Sequence, residues 1–235
     1  MDDFERIFMS IHLQKELTKI KKSILTLGAM VEERVRMASQ SIYERDAEMA
    51  RQVVQADHEV DAMEVEIEEE CLKILALHQP VAVDLRFLIS VIKINGELER
   101  IGDEAVNVAQ RVEVMAKHGK SFDFDYSIMS AKAQNMLKMS LDAFVNLDID
   151  LAFKVLIQDD DVDMIKKTAY DQIKQAMAEN SNIIGYLINL LLISRHLERI
   201  ADHATNIAEE VIYLVEGEIV RHGKNLDPGN DGKTA

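Results

Sequence analysis

Residues 97–109 read Glu97-Leu98-Glu99-Arg100-Ile101-Gly102-Asp103-Glu104-Ala105-Val106-Asn107-Val108-Ala109, and residues 196–208 read His196-Leu197-Glu198-Arg199-Ile200-Ala201-Asp202-His203-Ala204-Thr205-Asn206-Ile207-Ala208. A shift of 99 positions lays Leu98 on Leu197, Glu99 on Glu198, Arg100 on Arg199, Asp103 on Asp202 and Asn107 on Asn206. Self-similarity at so long a period marks a duplicated supersecondary unit. Both copies carry the helical period: Leu98, Ile101, Ala105, Val108, Val112 and Met115 recur in steps of three and four, as do Leu197, Ile200, Ala204, Ile207, Val211 and Leu214. Such a stripe is a seam for packing against other helices. Beside it, Glu99, Asp103 and Asn107 stack along one helix edge, and Glu198, Asp202 and Asn206 repeat the edge, because residues four apart share a face.

Helical signals extend through the rest of the chain. It has 235 residues, only two prolines and nine glycines, and is 48% hydrophobic. That suffices for two units of ~100 residues with their own cores. The fold class predicted is all-α, as two tandem pseudo-symmetric three-helix bundles over residues 10–118 and 123–221, with a disordered tail over 224–235. Residues 1–9 are expected to fray. The first helix runs over 10–44 on a stripe of Leu13, Leu17, Ile20, Ile24, Leu27, Val31, Val35 and Ala38. Asp46 caps a segment 47–55, and a second long helix continues to Leu77. His78-Gln79-Pro80 breaks it, since proline lacks the donor a helix needs and biases its predecessor away from α. The third helix, 83–116, ends before Gly119, a C-terminal glycine. Then the plan restarts: Met37 through Val54 lines up with Met139 through Leu156 at an offset of 102, Asp46 on Asp148. Three more helices follow, over about 124–145, 148–179 and 183–221.

Composition excludes several classes. The net charge of −15 opposes nucleic-acid binding, which rewards a basic face, and direct attraction to anionic lipid. Cys71 stands alone, so it forms no internal disulfide, and the apolar series Val60, Met63, Ile67, Cys71, Ile74 reads it as a packed thiol. No apolar run reaches the ~18 residues of a membrane span, and the acidic N-terminus is unlike a signal peptide. The expected location is cytoplasmic.

Four acidic pairs at i, i+4 stand out: Asp57/Asp61, Glu99/Asp103, Asp159/Asp163 and Glu198/Asp202. In an antiparallel helix hairpin, residues equally far from the turn lie level. The midpoint of residues 61 and 99, and of 57 and 103, is residue 80, the proline. The midpoint of 163 and 198, and of 159 and 202, falls between Asn180 and Ser181, inside the Glu179-Asn180-Ser181-Asn182 break. Four carboxylates are thus predicted to converge in each bundle. Converging like charges are unfavourable, and a bound cation reverses the sign. All-oxygen ligands favour Fe, Mn, Mg or Ca over zinc, with Asn107 and Asn206 placed to complete the shell. Blander readings stand beside this one. An acidic row also fits a solvated face, Asp57 and Asp159 also fit helix N-caps, His196 and His203 fit exposed histidines as well as extra ligands, and Arg100 and Arg199 are expected to pair with neighbouring acids, such as Glu104 near Arg100.

No catalytic motif accompanies the carboxylates. None of the seven histidines has Glu three residues before it, against a ferritin-like di-iron site. There is neither a phosphate-binding Gly-x-x-x-x-Gly-Lys-Ser/Thr loop nor His-Glu-x-x-His, and no Ser or Cys nucleophile has an evident base. A non-enzyme is expected.

With Leu98-Glu99-Arg100-Ile101-Gly102-Asp103 and Asn107, and Leu197-Glu198-Arg199-Ile200-Ala201-Asp202-His203-Ala204-Thr205-Asn206-Ile207-Ala208-Glu209, the chain resembles the PhoU family of cytoplasmic regulators of bacterial phosphate uptake. Gln79-Pro80-Val81-Ala82-Val83-Asp84-Leu85-Arg86, His12 and Glu16-Leu17 support the likeness, which covers about 10–220. It departs slightly at Gly96, inside the third helix, and at Ala201, where the first copy has Gly102. The resemblance implies two three-helix bundles with multinuclear metal clusters on their surfaces, Glu99/Asp103 and Glu198/Asp202 among the ligands. It also implies a negative regulator of the phosphate regulon that links the phosphate ABC transporter ATPase to a membrane sensor histidine kinase, meeting the membrane only through those partners. A homodimer is the expected assembly. The alternatives are a hydrolase or oxidase using a carboxylate-bound metal cluster on a helical bundle, and a scaffold whose acidic rows bind basic partners without metal.

Overall fold

A computed structural model describes residues 3–118 and 122–217, with side chains from residue 11 onward. The elements are α1 (Asp3–Glu44), α2 (Ala47–Gln55), α3 (Asp57–His78), α4 (Ala82–Ala116), α5 (Ser127–Asn146), α6 (Ile149–Glu179), a 3-10 turn (Ser181–Ile183) and α7 (Ile184–Glu216). No strand occurs among the described residues. The first bundle is α1, the α2–α3 rod and α4; the second is α5, α6 and α7. They join where α4 lies against α7 and, less extensively, where α1 touches α5.

The duplication is visible in the backbone. Arg45 and Leu147, 102 positions apart, both turn left-handed at φ 53. That conformation is unfavourable for a residue with a Cβ, and both times it is followed by an aspartate cap. The Asp46 carboxylate accepts from the N–H of Glu48 at 2.8 Å and of Met49 at 3.0 Å, and Asp148 accepts from the N–H of Leu151 at 2.9 Å. Each satisfies amides that a helix start leaves without partners. The halves then diverge: the first rod breaks at Ala56, whereas α6 runs unbroken. The alternative N-cap reading therefore fails twice. Ala56 occupies the cap of α3, with Asp57 in the first turn, and Asp159 lies mid-helix.

Several predicted bounds shift. Helix α1 begins at Asp3 rather than near residue 10. Helix α7 stops at Glu216 rather than 221, because Gly217 adopts φ 75 and its N–H caps the Tyr213 carbonyl at 2.9 Å. That left-handed end suits glycine. Gly119 and the tail 224–235 lie outside the described residues.

The α1 stripe from Leu17 through Ala38 is buried, as are the α4 and α7 seams. Helices α4 and α7 are buried on a second face as well, where Val106, Ala109, Ala201, Ala208 and Ile212 also lose solvent. Each is central, packing into its own bundle and against its counterpart. A fully buried Leu or Ile contributes about 1.5–3 kcal/mol, so these two helices anchor the whole. Cys71 is buried, and burial pushes its thiol up to about 12, leaving it unreactive. No single helix among the described residues is long and apolar enough to cross a membrane.

Candidate metal centres and the inter-bundle seam

Helix α3 presents Asp57 and Asp61 to the Glu99/Asp103 edge of α4. Asp57 is raised above the usual carboxylate range by burial and then by the negative charges of Asp61 and Asp103. Burial, then Asp103, Asp61 and Glu64, raise Glu99, and burial with Asp61 and Glu104 raises Asp103. The four side chains therefore share one field, as the level pairing across Pro80 requires. The second set behaves alike. Asp159 is pushed up to about 6 by burial, Asp163 and Glu198, and Asp202 up to about 6 by burial, Glu198, Asp159 and Asp163. A carboxylate among like charges holds its proton more tightly.

The two sets are not copies. Asp159 and Asp163 of α6 lie 102 positions after Asp57 and Asp61, and the same shift carries Glu64 onto Lys166. Lys166 bonds Glu198 and stands 3.7 Å from Asp163. In the first set the equivalent residue is a fifth acid. Glu64 is held by Asn95, whose Nδ2 donates to the Glu64 carbonyl at 2.8 Å and to its carboxylate at 3.2 Å. Among the described residues no ion pair reaches Asp57, Asp61, Glu99 or Asp103, and the nearest guanidinium groups are bound elsewhere: Arg34 to Glu59 at 2.6 Å, Arg100 to Glu97 at 3.1 Å.

The donors of the first set suit a hard cation: carboxylate oxygens offered at matched height by two helices, with the Asn95 Oδ1 buried nearby and lacking a partner. Among the described residues, however, no three His, Cys, Asp or Glu side chains are gathered as tightly as a metal ion requires. The second set fits less well, since an ammonium already stands among its oxygens. Asn206 is drawn away from that set: its Nδ2 donates to Glu97 of the other bundle at 2.9 Å. Asn107, its counterpart on α4, is half-buried a turn beyond Asp103.

Where α4 meets α7, a polar ladder crosses the apolar contact. His203 Nδ1 bonds Glu97 at 2.7 Å, and His196 Nδ1 bonds Glu104 at 2.6 Å. Arg199 Nε reaches the other Glu104 oxygen at 3.0 Å, and Lys93 holds Glu210 at 3.0 Å. Burial by itself would raise Glu97 and Glu104. Hydrogen bonds from His203 and Asn206, and from His196, more than offset it, and both carboxyls sit below the usual range. One sequence expectation is thereby corrected outright, and in another, the pairing of Arg100 and Arg199 with nearby acids, only the partner of Arg100 differs. His196 and His203 are not exposed, because the second face of α7 is covered by α4. Glu104 pairs with Arg199 and His196 across the seam, while Arg100 pairs with Glu97 one turn back on its own helix, as the i, i+3 geometry favours.

The ladder had a signal in the sequence. The first and eighth positions of the motif are Glu97 and Glu104 in one copy, His196 and His203 in the other. A pseudo-two-fold axis between the copies brings position one of each beside position eight of its mate, so both crossings join a glutamate to a histidine.

Comparison with known proteins gives a consistent result. The family model described as "PhoU domain" matches residues 24–112 and 126–211. A protein of Pseudomonas aeruginosa named phosphate-specific transport system accessory protein PhoU homolog is 40% identical over 216 residues, covering 91% of this chain and 89% of its own. The phosphate-specific transport system accessory protein PhoU of Escherichia coli is 34% identical over 221 residues, covering 93% and 92%. Among solved structures, PhoU from Pseudomonas aeruginosa superposes with a TM-score of 0.85 at 40% identity, covering 87% of this chain and 99% of that one. The phosphate transport system regulatory protein PhoU from Streptococcus pneumoniae gives 0.82 at 30% identity, covering 88% and 99%.

Proposed function

The chain belongs to the PhoU family, and from that premise we propose that it is an accessory protein of a phosphate-specific transport system, acting by contact rather than by catalysis. In this reading it is a cytoplasmic negative regulator of the phosphate regulon that meets both the transporter ATPase and a sensor histidine kinase, as a homodimer. Hard metal ions such as Fe, Mn, Mg or Ca would be held by Asp57, Asp61, Glu99 and Asp103, and by Asp159, Asp163, Glu198 and Asp202 where Lys166 allows. Such an ion would supply the positive charge that these converging carboxylates lack. The chain's own residues supply the oxygens and the fixed helix spacing.

The observation that carries the reading is the repeated Glu-x-x-x-Asp edge on α4 and α7, each facing a level acidic pair from its own bundle. Rigid central helices bearing paired charge fields suit a docking protein. Affinity capture of the ATPase and of the kinase, at high and at low phosphate, tests it; loss of both contacts under both conditions defeats it.

One observation favours a metal-dependent hydrolase or oxidase. A groove of 780 Å³, bordered by Asp163, Lys166, Tyr170, Leu191 and Arg195, opens beside the second set. Turnover of phosphate esters or oxidation by metal-loaded protein, abolished by Asp163→Asn, would establish the enzyme.

A further inference from the structure

We infer that Lys166 is a tethered counter-ion occupying the cation position of the second carboxylate set, so that the two halves are unequal toward divalent metal. This rests on the metal reading above. The first set takes its positive charge from solution. The second already carries one on its own chain, and binds an ion only after the ammonium is displaced.

The repeat relates Asp57, Asp61, Glu99 and Asp103 to Asp159, Asp163, Glu198 and Asp202, one for one. The residue one turn beyond the second aspartate is where the halves part. In the first half it is Glu64, tied to buried Asn95 and adding to the negative field on Glu99. In the second it is Lys166, bonded to Glu198 of α7 and close to Asp163 of its own α6. Lys166 thus bridges the same helix pair that an ion would bridge. Asn95 is replaced at the equivalent position by Ser194, whose hydroxyl donates to the Leu191 carbonyl at 2.7 Å and makes no tie to Lys166. The ammonium ends a flexible four-carbon stem with its side chain 38% exposed, so a competing ion can move it aside without disturbing the core.

The test titrates full-length, chelator-stripped protein with Mn²⁺ by calorimetry. Wild type is expected to show one tight phase, lost in Glu99→Gln/Asp103→Asn and retained in Glu198→Gln/Asp202→Asn. Lys166→Met should gain a resolved second phase, about tenfold tighter than the weak second-set binding of the wild type, the scale of removing one nearby like charge in a partly solvated site. Adding Glu198→Gln/Asp202→Asn to it should abolish that gain. Glu64→Lys should weaken the tight phase by a similar factor. Helical circular dichroism checks each fold, with Lys166→Gln as a second neutral variant. If wild type binds Mn²⁺ but neither neutral variant changes the isotherm, the Lys166 inference is overturned and the metal reading survives. A tight phase removed by the Glu198/Asp202 variant instead also overturns it. No Mn²⁺ uptake by any folded variant defeats the metal reading itself.

Discussion

Glu104→Ala tests whether the ladder between α4 and α7 holds the two bundles together. The Glu104 side chain is 5% exposed and accepts from His196 and Arg199 of the opposite bundle. A hydrogen bond to a charged group contributes about 1.5–3 kcal/mol when both partners are desolvated. The Arg199 side chain is 44% exposed and regains water when its acceptor goes, so its share is small. His196 stays shielded with an unsatisfied donor, while the desolvation of the glutamate itself is relieved. The net loss is about 2–3 kcal/mol. For a unit of this size that lowers the melting temperature by roughly 4–12 °C. The measurement is thermal circular dichroism near neutral pH with chelator present, so that no ion at neighbouring Asp103 contributes. Glu59→Ala is the control. It also bonds a guanidinium of another helix, Arg34 at 2.6 Å, but Glu59 is 52% exposed, and its loss should stay under about 1 kcal/mol. A double-mutant cycle of Glu104→Ala with His196→Ala should give a coupling of about 1–2 kcal/mol. If Glu104→Ala melts no earlier than Glu59→Ala, or the cycle shows no coupling, the ladder does not clamp the bundles.

Gly96 sits inside α4 with open space where a Cβ would go, so Gly96→Ala should stabilise by about 1 kcal/mol through helix propensity alone. Gly28→Ala should fail to gain, because its Cβ would stand 3.0 Å from a buried Leu141 methyl; paired melting curves separate the two. Asp159 and Asp202, raised from 3.8 to about 6 in the fold, make the folded state bind more protons than the unfolded one. Their contribution is complete below the unfolded value and is lost as pH rises through about 6. Metal-free protein should therefore melt later at about pH 5.5 than at pH 7.5, and Asp159→Asn/Asp202→Asn should flatten that difference. Glu97 and Glu104 shift the other way and act only at more acid pH. Mn²⁺ at about a hundred times its dissociation constant should stabilise by about 2.7 kcal/mol, reversed by chelator; an unchanged melt would count against the metal centres.

The helices, the cap at Asp46 and the acidic rows flanking each turn are legible in the chain alone. Periodicity along Leu98–Met115 and Leu197–Leu214, aspartates at 46 and 148, and turns at Pro80 and Asn180 are local signals. A hairpin then converts distance from the turn into height on the bundle. Which second face of α4 meets α7 emerges only from the packed molecule, because that contact joins residues about a hundred positions apart and no turn fixes its register. It turned His196 and His203 from surface residues into partners of Glu104 and Glu97, and drew Asn206 off its carboxylate edge. The packing also sets Lys166 of α6 beside Glu198 of α7, a contact that its long flexible stem permits but no sequence period specifies.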